Sequence, residues 1–161
     1  MTNQILNVDS RAEYPASALS NFAHHEFIMD GVKCRSIESW LQSLKKHLPD
    51  IQAYICGLSS MDARKAVENE KWWRSGFLYW KGETYVRAGE AYQDLLDRVY
   101  NELYGNQKFR EALRLTEGKQ LTHKIGKIST RVTVLTRNEF TSRLEKMRIR
   151  LIEEDGQYSQ I

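Results

Sequence analysis

Apolar residues recur at Ile37, Trp40, Leu41, Leu44 and Leu48, the three-, four- and seven-residue spacing of one helical face. Ser36 is a fitting N-cap, and Pro49 disfavours helical geometry in the residue before it. The pattern therefore predicts a helix from Ile37 to about Leu48. Beside the apolar stripe runs a polar one, Glu38, Gln42 and Lys45, an acid, an amide and an amine on a single face. A helix that offers one stripe to the core and its neighbour to polar chemistry suits the wall of a cleft.

Patterns elsewhere frame that helix. Residues 4–9 read as a first strand, and Tyr14-Pro15 with Ser17 opens a loop running to Asn21. Segments 26–29 and 32–35 flank Asp30-Gly31, a dipeptide suited to the positive φ angles of a tight hairpin turn. Cys34 reads as a buried hairpin residue. A short helix over 50–56 ends near Gly57, and Ser60 caps another over 61–69. Val86, Ala91, Leu95, Leu96, Val99 and Leu103 predict a long helix over Glu83–Tyr104, closed by Gly105 in the left-handed conformation. Residues 107–115 form the next helix, with Phe109, Ala112 and Leu113 inward. Segments 119–123 and 131–135 alternate as short strands, and Thr136 with Glu139 is a capping box for a last helix reaching about Glu153. The aromatic run from Trp72 to Trp80 has no clean period. The class is α+β, a mostly helical single domain over residues 1–155 with a small antiparallel sheet, followed by a tail over 156–161.

Composition narrows the setting. A chain of 161 residues, 41% hydrophobic, has enough apolar material for one core and too little for two. Mean hydropathy is −0.60, and no apolar run approaches the roughly 20 residues of a spanning helix. With no basic stretch leading into an apolar one at the N-terminus, and with cysteines only at 34 and 56, a cytoplasmic, reduced protein without a membrane partner is expected. Twenty-four basic against 21 acidic residues leave a net charge of +3. Arg143, Lys146, Arg148 and Arg150 give the closing segment a basic face, read as solvated in preference to a nucleic-acid surface. His24-His25 reads as loop or strand-edge polarity, and no acidic or cysteine cluster has ligand spacing, so no metal is expected.

Glu38 is the leading candidate for chemistry. In the first turn of its helix the unpaired N–H groups and the positive dipole end favour an ionised carboxylate, a base before it is an acid. The bland alternative is a helix-capping carboxylate with no other role. Lys45 lies ~10 Å of axial rise further on, and its long side chain reaches back as a nucleophile or a phosphate anchor, or else is a surface lysine. Gln42 and Asn21 suit ribose hydroxyls or a base edge, although Asn21 equally suits a turn. Phe22 and Trp40 offer flat faces for a base, with the core as the alternative for both. Arg35 and Arg131 can fork a phosphate. His123 is a candidate leaving-group acid or a structural histidine.

Leu19-Ser20-Asn21-Phe22, the Asp30-Gly31 hairpin, and then Ser36-x-Glu38-x3-Gln42-x2-Lys45 resemble the opening signature of the YbiA/NADAR superfamily. That superfamily includes N-glycosidases acting on ribosylated amines and domains linked to NAD and ADP-ribose chemistry. The likeness continues more weakly through Phe109, Leu113, Thr116 and Leu121 to Leu144 and Arg148. It implies a YbiA-like fold and metal-free, cofactor-free hydrolysis of an N-glycosidic bond. It places Asn21, Phe22, Glu38, Gln42 and Lys45 at the site; adding the candidates chosen by residue type, Glu38, Lys45 and His123 would be catalytic, with Asn21, Phe22, Arg35, Trp40 and Gln42 around the substrate. The implied partner is nucleotide-like: ADP-ribose, NAD, a ribosyl-phosphate adduct, or a modified nucleic acid. Hydrolytic members carry a Lys-Phe pair closing the central helix and an Asp/Trp/Gly-rich loop before the last one. Here Glu102-Leu103-Tyr104 and Thr122-His123-Lys124-Ile125-Gly126-Lys127 stand there, which alters the far wall of the implied site. The compact size and divergent tail are similar to phage-borne branches. Two alternatives stay open: a nucleotide-binding module without catalysis, and an interaction protein using Trp72, Trp73, Trp80 and the basic closing helix.

Overall fold

The computed structural model describes residues 4–158. In chain order its elements are β1 (Ile5–Asn7), α1 (Ala16–Leu19), β2 (Phe27–Met29), β3 (Val32–Cys34), α2 (Ile37–Ser43), α3 (Pro49–Cys56) and α4 (Ser60–Ala66). A 3₁₀ turn over Trp72–Arg74 leads to β4 (Phe77–Trp80) and β5 (Glu83–Val86). Then come α5 (Glu90–Tyr104), α6 (Gln107–Arg114), β6 (Gln120–Thr122) and α7 (Arg137–Tyr158). The architecture is α+β as expected, with the strands divided into three two-stranded ribbons. Two are antiparallel hairpins; the third is a parallel pair, Ile5 opposite Gln120 through Asn7 opposite Thr122, which ties the start of the chain beside the site's far wall. Among the described residues no helix is long and apolar enough to cross a membrane.

Both hairpins turn on consecutive positive φ angles, Asp30 at 47° and Gly31 at 82°, Lys81 at 47° and Gly82 at 88°. This backbone matches the right-handed twist of paired strands. The first hairpin is the one expected. The second replaces the start of the predicted long helix: Glu83–Val86 is strand, Val86 is exposed, and α5 begins only at Glu90. The two turns lock together, because Trp80 Nε1 donates to Asp30 Oδ2 (2.8 Å) and Lys81 Nζ to Asp30 O (2.6 Å). Arg98 of α5 pairs with the same carboxylate at 2.8 Å.

Every residue of α2 is buried. Ile37, Trp40 and Leu41 join a core shared with Tyr92, Leu95, Leu96, Val99, Phe109, Phe140 and Leu144. Its other side packs closely because the side chains there are small. Ser36 Oγ accepts from Ser39 N–H (3.1 Å) and lies 2.7 Å from Ser60 Oγ, while Ser39 Oγ donates to Leu58 O (2.7 Å). The helix stops at Ser43 instead of reaching Leu48. The Leu44 carbonyl, which another turn would need, accepts from Tyr79 N–H of β4 (2.9 Å). Leu48 is consequently the half-exposed residue before α3 and no part of the α2 stripe.

The capping box of α7 is formed, Glu139 N–H donating to Thr136 Oγ1 (3.1 Å) and Thr136 N–H to Glu139 Oε1 (2.7 Å). The helix runs past Glu153 to Tyr158, so residues 156–158 of the expected tail are helical and 159–161 lie outside the described residues. Segment 131–135 is irregular, not a strand. Its carbonyls are taken by side chains, Arg87 Nε donating to Thr133 O (2.8 Å) and Tyr92 Oη to Val134 O (2.5 Å). Gly105 has φ −67°, so α5 closes without a left-handed residue. Half of the closing basic face is internal: Arg143 and Arg148 are buried, the latter donating to Thr116 O and Lys119 O, both at 2.7 Å, while Lys146 and Arg150 are exposed. Trp72 and Trp80 are buried as well. Trp73 is half-exposed, so these aromatics and cations are divided between core and surface.

Candidate active site

A cavity of about 560 Å³ opens between the loop at Ser20–Phe22, the polar face of α2, α4, and the segments 123–127 and 132–135. Asn21, Phe22, Glu38, Gln42, Lys45 and His123 all line it. The loop is tied to the helix by Glu38 N–H donating to Asn21 O (3.0 Å), so one of the unpaired donors of the first turn positions the residue preceding Phe22.

The Glu38 carboxyl is buried and accepts from Gln42 Nε2 (2.8 Å), one turn on; Arg64 Nε of α4 lies 3.4 Å from the same oxygen. Burial pushes its pKa up, against Gln42, Arg64, Lys45 and His123, which all pull it down. Desolvation thus works against the preference of the helix N-terminus for an ionised carboxylate. Lys45 sits in the turn just after α2, half-buried, and burial pulls its amine below the ordinary lysine value, with Glu38 opposing. Acid and amine are thus both moved toward their neutral forms.

Asn21 Oδ1 accepts from the Tyr100 hydroxyl (2.7 Å). Tyr100 is buried, and burial holds its pKa well above the ordinary tyrosine value, so it remains a donor. This fixes the Asn21 amide with its NH₂ group left to donate elsewhere. Phe22 lies beneath the Arg64 guanidinium, 4.9 Å from ring centre. His123 Nδ1 donates to Val8 O (2.8 Å), and its ring meets Phe140 edge-on at 4.9 Å. A neutral His123 therefore keeps its proton on Nδ1, which leaves Nε2 an acceptor. As a leaving-group acid it would first have to be charged.

Three candidate site residues lie elsewhere, Arg131 being exposed and outside the cavity. Trp40 is completely buried and packs edge-on against Trp80 (5.7 Å), so it belongs to the core. Arg35 is exposed and outside the cavity, because its backbone N–H is held by Cys56 O (2.9 Å) on the α3 side. His25, read as edge polarity, is buried with Nε2 2.7 Å from Ala18 O. The cavity also recruits Arg64, Trp72 and Lys127, with Tyr100 behind Asn21. No local pattern separates these from other surface cations and core aromatics. Among the described residues no group of three or more His, Cys, Asp or Glu side chains is placed to hold a metal ion.

The arrangement is that of a YbiA-like α+β protein. The solution structure of Escherichia coli YbiA matches with a TM-score of 0.61, covering 96% of this chain and 89% of that one at 18% identity. At family level, the model for Bacteriophage protein GP30.3 matches residues 13–149, and the chain belongs to that family. It is also 35% identical over 146 residues to an uncharacterized 17.1 kDa protein from the Gp30-rIII intergenic region of Enterobacteria phage T4, covering 89% of this chain and 96% of that protein. Both the expected fold and its phage-borne branch hold.

Proposed function

We propose that this protein hydrolyses the N-glycosidic bond of a ribosylated or ADP-ribosylated compound with its own side chains. The observation that carries the reading is the convergence of a buried acid raised in pKa and a half-buried amine lowered in pKa on one cavity. Cleaving such a bond requires a proton on the departing nitrogen and an electron pair for the anomeric carbon. Glu38 supplies the proton as the carbon–nitrogen bond breaks. The Lys45 amine attacks the same carbon and returns a proton to the Glu38 carboxylate. The resulting glycosylamine opens to a Schiff base, its ring oxygen taking up a proton, and water then releases the free sugar and the amine. Asn21 and Gln42 orient the ribose, and Phe22 offers a face to a base.

Borohydride reduction during turnover of NAD or an ADP-ribosylated amine, followed by mass spectrometry, tests this route. A sugar adduct on Lys45 is expected, with Lys45→Ala abolishing it. Glu38→Gln should lower turnover at least ~10²-fold, the usual lower range for general acid catalysis, without unfolding the chain. Turnover unchanged in Glu38→Gln removes this mechanism. A second reading has one observation in its favour: the wall from Ile125 to Leu135 brings no carboxylate to the cavity. Tight ADP-ribose binding with no released product would identify a nucleotide-binding module instead.

A further inference from the structure

Arg64 lines this cavity with most of its hydrogen-bonding capacity unused. It stands in the last turn of α4, with its side chain 57% exposed against 11% for the Glu38 side chain. Its ion-pair contact with Glu38 is through Nε, at 3.4 Å, and the guanidinium rests over Phe22. Its two terminal nitrogens donate no hydrogen bond among the described residues. Those nitrogens form the planar fork that matches a phosphate in bidentate fashion. Lys45 and Lys127 line the same cavity. Arg11 and Asp9 largely cancel one another at its edge, their charged atoms 3.5 Å apart.

Resting on the nucleotide reading above, we propose that Arg64 is the cavity's anion sensor, exchanging its loose contact with Glu38 for the phosphate of an arriving nucleotide. Glu38 faces four other groups: Gln42 and Lys45 from the α2 side, His123 from the far wall, and Tyr100 from α5. Among the described residues Arg64 is its one ion-pair partner within 4.0 Å. Moving the guanidinium to a phosphate takes a positive charge from the carboxylate and brings a negative one nearer. Both changes favour its protonated form. Binding then draws one proton from solvent onto Glu38, the proton later needed by the departing nitrogen. The same movement uncovers Phe22 for the base. The ligand's own charge thereby arms the acid, and a ribosyl compound without phosphate leaves it unarmed.

Calorimetric titration with ADP-ribose and with adenosine, in two buffers of different ionisation enthalpy at one pH, reads the proton count directly. Wild type should show net proton uptake on binding ADP-ribose and none with adenosine. Glu38→Gln should bind ADP-ribose without uptake, and Arg64→Met should lose roughly tenfold in affinity together with most of the uptake, consistent with losing a bidentate charge-assisted pair. Circular dichroism and thermal melting of each variant separate these effects from unfolding. ADP-ribose binding with no proton uptake, or equal affinity in Arg64→Met, overturns the sensor role and leaves the nucleotide reading intact. Absence of ADP-ribose binding to folded wild type overturns both.

Discussion

Two buried glutamates sit in the first turns of two helices, Glu38 in α2 and Glu139 in α7, and their surroundings have opposite consequences. Glu139 receives both terminal nitrogens of Arg87 (3.1 and 2.5 Å), Gln93 Nε2 (2.5 Å) and Thr136 N–H (2.7 Å). Burial raises its pKa, but these partners together overcome it and hold the carboxyl below the ordinary value. Glu38 has one amide and one loose guanidinium, and burial prevails. A buried carboxylate satisfied on every side is structural. One left short of donors beside a cavity is available for proton chemistry.

The largest way to test this contrast is to delete each carboxylate in turn. Glu139→Ala strands the Arg87 guanidinium, whose side chain is 3% exposed, and should cost about 3–5 kcal/mol in urea unfolding, the usual range for breaking a buried pair. Glu38→Gln keeps the shape and removes a charge with few partners, so its change should stay within about 1 kcal/mol. Equal losses from the two would erase the distinction between them.

A smaller and more diagnostic effect lies in the pH dependence. Glu139, depressed in the fold, adds stability above the ordinary 4.5 that is lost as pH falls through its folded value. Glu38, raised in the fold, does the reverse: its contribution is full below 4.5 and disappears as pH rises through its folded value. Stability of Glu38→Gln relative to wild type should therefore improve as pH climbs from about 4.5 toward neutrality. A flat difference across that range would mean that burial does not shift Glu38.

Much of this contrast is legible in the sequence. The Ser36 cap, the Asp30-Gly31 hairpin and the Thr136–Glu139 box are local devices, so spacing alone reveals them. Glu38, Gln42 and Lys45 reach one cavity because neighbouring positions on a helix face travel together, even though the helix ends before Lys45. What was illegible is long-range. Val86 stands just ahead of the apolar series Ala91, Leu95 and Val99, and the Lys81-Gly82 turn makes it strand instead of helix. Arg64 reaches Glu38 through the serine cluster that packs α4 on α2, and no pattern along the chain encodes that contact. The depth at which Glu38 is buried, which raises its pKa, is likewise set by the packing of distant segments and not by its position in the helix.

The smallest expected effect sharpens the comparison between two arginines that flank α2. By chemistry alone Arg35 and Arg64 are equal candidates for a phosphate. Arg35 immediately precedes the cap, yet it is exposed, lies outside the cavity, and its side chain has no hydrogen-bond or ion-pair partner among the described residues. Arg64 is 26 residues beyond Glu38 in the chain and meets it in space. Arg35→Ala should therefore shift unfolding free energy by less than about 0.5 kcal/mol, the usual range for an isolated surface substitution. ADP-ribose affinity should stay at the wild-type level, measured by the same titration that weakens in Arg64→Met. A loss of affinity in Arg35→Ala comparable to that in Arg64→Met would mean that the ligand extends beyond the cavity along the outer side of α2. The polar stripe would then be only one end of a longer binding surface.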